Sequence, residues 1–170
     1  INIVTRDGSN EFEGTFIASV GTYRTGDSEV FFGLDESSWV GEQSYEASLS
    51  GPIKKEKLFF FSSLKATSSE GWLNGQRIFM PSDSSDFSSN NFTNWVIETT
   101  GDSAIVPMNQ RKGFTFMNKL SWKASQNIKI NYSITQSLSE SNYYQHLYRY
   151  NPDYLPTQYS NSTNHLIALN

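Results

Sequence analysis

The chain has no cysteine among its 170 residues. That removes disulfide frameworks and thiolate metal sites from consideration. Histidine is nearly absent too: only His146 and His165 occur. Neither stands in an H-x-x-x-H or comparable ligand spacing, and Asp153, seven residues past His146, does not complete one. No stretch approaches the roughly 18 apolar residues of a membrane-crossing helix. Cations are fewer than anions, 13 against 17, for a formal net charge of −4, which argues against nucleic acid as a partner. The G-x-S-x-G elbow, the G-x-G-x-x-G turn and the phosphate loop are missing. Asp83, Asp86 and Asp102 lack calcium-loop spacing. With no catalytic, metal or cofactor site legible, the chain reads as a non-enzyme.

What is present is aromatic and polar at once. Phe, Trp and Tyr make up 15% of the residues, while all hydrophobics together reach only 36%. In a background of Ser, Asn and Thr, that balance suits strands apolar on one side only, not a thick two-sided core. A transmembrane barrel strand needs only about 9–11 alternating residues and stays inconspicuous in hydropathy. Residues 44–67 carry the plainest signal. Tyr45, Ala47 and Leu49 alternate with Glu46, Ser48 and Ser50, Gly51-Pro52 breaks the strand, and Lys54 to Lys57 hold a turn in water. Leu58-Phe59-Phe60-Phe61 then restarts a strand.

The rest of the chain extends the pattern. A short strand is expected over 1–6, a turn at 7–10, and strands starting near Gly14, Ser44, Leu58, Lys112, Ile128 and Ser162. Phe114, Phe116, Leu120 and Trp122 share one parity, as do Ile128, Ile130, Tyr132 and Ile134. Lys65, Lys119 and Lys129 all fall on the opposite, polar parity. A lysine at a lipid midplane costs roughly 2–4 kcal/mol, whereas one in a wet lumen costs little. Charge and apolar alternation therefore select the same orientation, with Trp122 and Tyr132 placed as interface-girdle residues. Connections alternate long (24–43), short, long (71–111), short (124–127), long (140–160). Loops near forty residues normally count against a strand assignment. Outer-membrane barrels are the exception, pairing short periplasmic turns with long extracellular loops. The expectation is an all-β, antiparallel transmembrane β-barrel, partial, with about six strands.

Two motifs carry a family resemblance. SLSGPIKKEKLFFFSSLK, starting at Ser48, resembles the first periplasmic hairpin of TonB-dependent outer-membrane receptors, most closely the Oar-like branch with its GGPI-K-K-(D/E)-K-(L/T)-FFF run. INIVTRDGSNEFEGTF, starting at Ile1, is similar to that family's junction between plug and barrel. Ser50-Gly51 stands where many relatives have two glycines. The resemblance implies that residues 1–12 are the last plug strand and the plug–barrel link, and that 13–170 are the N-terminal part of the barrel. It implies residence in the outer membrane of a Gram-negative bacterium and active uptake of a nutrient, whether peptide or protein, glycan or metal chelate. Implied partners are outer-membrane lipid, the TonB complex acting through a box upstream of Ile1, an unidentified extracellular ligand and, in some relatives, a surface lipoprotein.

The loop aromatics Trp39, Trp72, Trp95, Tyr143, Tyr144, Tyr148 and Tyr150 are the candidate ligand-binding residues, because Tyr and Trp give large amphipathic contact area at low entropic cost. Their other reading is loop packing. Two alternatives stand beside the transporter: a soluble β-sandwich binding glycans through the same aromatics, and a passive porin or adhesin barrel. One-sided loop lengths argue against the first, and the plug-like opening against the second.

Overall fold

The computed structural model describes residues 8–36 and 38–170. In chain order its strands are β1 (Glu13–Gly21), β2 (Glu42–Lys54), β3 (Leu58–Ser69), the short β4 (Asn74–Gln76), β5 (Ser85–Asp86), β6 (Val96–Ile97) and β7 (Ile105–Pro107), then β8 (Arg111–Lys123), β9 (Lys129–Asn142) and β10 (Thr157–Leu169). Six of them form one antiparallel up-and-down sheet in the order β1-β2-β3-β8-β9-β10. The sheet is open, with β1 and β10 as its edges. The strand expected over 1–6 lies outside the described residues.

Three long connections leave the upper end of the sheet: L1 (22–41), L2 (70–110) and L3 (143–156). Two short turns, 55–57 and 124–128, close the lower end. The long–short alternation therefore holds, with three corrections. L2 is not irregular throughout: β4 pairs with β7 and β5 with β6. L3 is shorter than expected, because β10 starts at Thr157 rather than Ser162 and its first residues pair back to Ser139–Asn142, as in Thr157↔Asn142 and Tyr159↔Glu140. Backbone pairing wins there over the missing hydrophobic alternation. Nor does Gly51-Pro52 end its strand; β2 runs on to Lys54 with a register shift between Pro52 and Lys54. Pro52 lies past Ser50, the last residue paired to β1, and beside that irregularity. A free edge and a bulge are where strands tolerate proline.

The registers divide the sheet into two faces. One carries the rows Ala18-Tyr45-Ala66-Phe114-Leu138-Asn161, Phe16-Ala47-Leu64-Phe116-Gln136-Thr163, Gly14-Leu49-Ser62-Asn118-Ile134-His165, Gly51-Phe60-Leu120-Tyr132-Ile167 and Lys54-Leu58-Trp122-Ile130-Leu169. The first four rows hold no Asp, Glu, Lys or Arg, and the fifth holds only Lys54, at its turn end. Above the rows Lys112 pairs with Glu140, so charge on this face stands at its two ends. Tyr132 and His165 share a hydrogen bond on this face, hydroxyl to Nδ1, at 2.9 Å. The other face is rich in Ser and Thr and holds Glu46, Lys65, Lys119 and Lys129, as the parities require. Lys65 donates to Glu46 on the neighbouring strand at 2.6 Å.

The sheet has little core of its own. Phe16, Leu49, Leu120, Trp122, Leu138, Ile167 and Leu169 are exposed on the apolar face. The best-buried part of the sheet is the lower end of the polar face, where Ser50, Phe59, Ser121 and Asn131 sit together in register or one row apart. The link from residue 8 reaches this end: Asn10 Oδ1 accepts from the Glu56 amide at 2.8 Å, where Glu56 has a positive φ of 62°, and the Phe12 ring lies 6.3 Å from Phe60. The remaining buried apolar residues, Leu34, Met108 and Leu155, lie in the three long loops.

Burying a large apolar side chain contributes roughly 1.5–3 kcal/mol, which this face does not collect in water. Two unpaired edges add a route to aggregation. Residues 1–170 produced alone are therefore expected to aggregate in buffer and to become monodisperse only in detergent, as read by size-exclusion chromatography. A monodisperse, cooperatively folded monomer in plain buffer would mean that the apolar face finds cover within the chain.

Candidate functional site

The three long loops are tied into one body. Gly33 in L1 has a φ of +68°, and a Cβ there would lie 2.6 Å from the Ile105 side chain of L2. Asn74 of L2 donates through Nδ2 to the Phe32 carbonyl of L1 at 3.1 Å. From L3, the Arg149 guanidinium lies 5.1 Å from the Phe32 ring centroid. Gly75 sits so close to the Arg149 carbonyl and to Met108 Sδ that a Cβ would be 2.5 Å from each. Backbone bonds run between L2 and L3: the Gln76 amide donates to the Arg149 carbonyl, and the Ile78 and Phe79 amides to that of Tyr150.

Arg77 closes this junction. Its Nε donates to Asp153 of L3 at 2.6 Å, and its Nη1 to Asp102 of L2 at 3.0 Å. The Asp153 carboxylate, then that of Asp102, holds the guanidinium pKa above its ordinary value. Asp102 is held below the usual carboxylate range, first by the Ala104 amide and also by Arg77. Asp83 staples the far part of L2: it accepts from the Thr100 hydroxyl, the Thr100 amide and the Met80 amide, which lowers its pKa in that order of causes.

The seven candidate aromatics do not converge on one site. Trp39 is 80% exposed and stacks under the Arg24 guanidinium at 4.1 Å. Trp72 meets Tyr23 edge-on at 5.2 Å. Trp95 meets Phe87 edge-on at 5.2 Å, far out on L2. Tyr144 bonds His146 Nδ1 through its hydroxyl at 2.8 Å, Tyr148 packs on Tyr154, and Tyr150 lies under Arg149. Tyr143 alone borders the upper rim of the polar face. Arg111 lies 5.8 Å over its ring. Beside it is a cavity of about 330 Å³ lined by Tyr143, Gln145, Pro156, Thr157 and Gln158. Arg111, Ser141 and Gln158 share the top row of that face. This rim offers a ring, a cation and two amides to a polar ligand.

Residue types alone did not point to Arg77, Asp102, Asp153, Arg24, Tyr23 or Arg111. One signal was available: Arg77 is the only cation between Lys65 and Arg111. Among the described residues, no three His, Asp or Glu come together as a metal-binding group. Comparison of the chain with protein-family models, curated proteins and solved structures gives no match.

The carboxylates of Asp83 and Asp102 are more acidic in the folded loops than in an unfolded chain. Their contribution is thus present above the ordinary carboxylate pKa of about 4 and is lost as pH falls through the lowered folded value. Amide exchange at Met80, Thr100 and Ala104, corrected for its intrinsic pH dependence, is expected to stay constant from about pH 8 to 5 and to accelerate below about pH 4. Arg77→Ala should produce limited proteolysis within L2 at neutral pH, with the sheet intact. Unchanged protection into strong acid, together with an uncut R77A loop, would remove these ions as the clasp.

Proposed function

We propose that this chain is the N-terminal part of the β-barrel of a TonB-dependent outer-membrane transporter, with residues 8–12 belonging to the link from its plug. The carrying observation is a two-faced sheet: five successive rows whose one carboxylate, ammonium or guanidinium is that of Lys54, at the turn end, on one side, and Ser, Thr and paired charges on the other. Five rows two residues apart extend roughly 27 Å along strands rising about 3.4 Å per residue. Tilted by about 40°, they stand about 21 Å tall, close to the roughly 25 Å apolar band of an outer-membrane barrel. Tyr45, Phe114 and Tyr159 toward the loop end, with Phe60, Trp122 and Tyr132 at the turn end, suit the two aromatic girdles.

On this reading the apolar face meets lipid, the Ser/Thr face lines the lumen, and the short turns point to the periplasm. L1, L2 and L3 meet the extracellular ligand, with the Tyr143–Arg111 rim at the lumen mouth. The chain supplies a wall and an entrance and performs no covalent chemistry. Energy for uptake would come through the TonB complex, which engages sequence upstream of this segment. A soluble sandwich would need a second sheet on the apolar face, and among the described residues none lies there.

A protease-cleavable tag inserted within 82–91 of the full-length parent tests localisation and orientation together. Outer-membrane fractionation with tag cleavage on intact cells is expected, and a soluble periplasmic or secreted parent would sink the transporter reading. A charge pair tests the facing. Phe116→Lys should cost roughly 2–4 kcal/mol and lower the amount of assembled barrel, while Thr135→Lys on the other face should be tolerated. Equal effects from both would reject the assignment of faces.

A further inference from the structure

The outer part of L2 carries charge of one sign only. Residues 78–110 contain no Lys, Arg or His, and four acids: Asp83, Asp86, Glu98 and Asp102. Only Asp102 is neutralised, by Arg77; among the described residues no cation pairs with Asp83, Asp86 or Glu98. These three acids are spent locally on shaping the hairpin. Asp86 accepts from the Ser88 amide and Glu98 from the amide and hydroxyl of Ser84, while Asp83 holds Thr100 and Met80. Their hydrogen bonds to neutral donors leave the net negative charge in place.

The same hairpin exposes five large apolar side chains. Phe87, Phe92, Trp95, Val96 and Ile97 are each about half exposed or more, with Phe92 at 74%. They cluster around the β5–β6 pair, outside the six-stranded sheet, and so need no lipid to explain them. Trp95 is fixed from two sides, edge-on against Phe87 and by its indole N–H donating to the Ser89 carbonyl at 2.9 Å. Its donor is therefore already used, and what it presents outward is apolar. A rigid aromatic ridge with uncompensated negative charge around it has the anatomy of a polypeptide-binding hot spot. The charge repels anionic lipid headgroups and nucleic acid. An apolar ridge whose indole donor is already spent suits apolar side chains better than sugar hydroxyls.

We propose that the tip of L2, centred on Phe92, Trp95 and Ile97, docks an extended polypeptide segment that carries lysine or arginine between large apolar residues. The apolar side chains cover the ridge, and the cations lie against Asp86 and Glu98. The exposed edges of β5 and β6 offer main-chain groups to such a segment, in the manner of strand addition. The tip lies outside the sheet, so the inference stands whether or not that sheet closes into a barrel.

Fluorescence anisotropy on the full-length parent tests it with three labelled 12-residue probes: alternating Leu and Lys, alternating Leu and Glu, and alternating Ser and Lys. The Leu/Lys probe is expected to bind, and the other two at least about tenfold more weakly. Phe92→Ser should weaken the Leu/Lys probe about tenfold or more. Among the described residues Phe92 has no aromatic partner, so the hairpin should survive its loss. Asp86→Asn with Glu98→Gln, which keep the local acceptors, should also weaken binding and flatten its dependence on salt. Undiminished binding to F92S, equal binding of the Leu/Glu probe, or displacement by a neutral maltooligosaccharide would overturn the proposal. So would slow maleimide labelling of Phe92→Cys in the parent, since another part of that protein would then cover the tip.

Discussion

A single restriction organises the sheet: charge is kept off the middle of one of its faces. Side chains alternate with a period of two, so a register slip by one residue would carry Lys65, Lys119 and Lys129 together to the apolar side. The registers that avoid this also bring Lys65 beside Glu46. Charge and apolar alternation thus specify one alignment twice over. This explains how strands so rich in Ser and Thr, with weak individual signals, still pair along nine to fourteen residues each. It also shifts the question of stability outward. The six strands collect their ladder bonds internally, but the apolar side chains gain nothing until another medium or layer covers them.

The loops obey a different logic. A connection of about forty residues inside a compact domain normally signals a misread element. Here L2 holds its own short strands, and L1, L2 and L3 each bury an apolar side chain, Leu34, Met108 and Leu155. Arg77 draws carboxylates from two loops to one guanidinium, and the neighbouring backbone amides of L2 donate to carbonyls of L3. The loops are therefore a second structured layer above the sheet. Their aromatic side chains are held in paired orientations before any ligand arrives, which lowers the ordering cost of capture.

Much of the sheet was legible because period-two alternation is a local property. Residues 112–122 and 128–135 display it directly, and strands formed there within a residue or so of the expected starts. β10 was not legible over its first half. Asn161, Thr163 and His165 occupy the face that carries the apolar rows, and Leu166 to Leu169 are apolar on both parities. Only pairing to β9 sorts them, sending Ile167 and Leu169 to one side and Leu166 and Ala168 to the other. The same holds for Leu58 to Phe61, where Phe60 joins the apolar rows and Phe59 is buried on the polar face. Of the site, residue type supplied the seven aromatics, but not their grouping. Arg77 and Asp153 are 76 positions apart, and no local pattern encodes such a meeting.

On the proposed reading, discrimination between ligands belongs to the loops more than to the wall. The central rows of the polar face are mostly short hydroxyls, Ser48, Ser63, Thr135, Thr115 and Ser137 among them, with Glu46 and Lys65 neutralising each other. Short hydroxyls rotate to suit many partners and reject few of them. The rim differs in kind. Tyr143 lies beneath Arg111 beside Gln145 and Gln158, and the ring and guanidinium have fixed relative positions. A ligand seated on this exposed rim covers its donors and acceptors, and an analogue that leaves them covered without partners is disfavoured. A permissive hydroxyl wall beneath a selective, pre-ordered entrance is a workable division of labour for uptake, since a ligand that passes the rim meets few strong sites on which to stall.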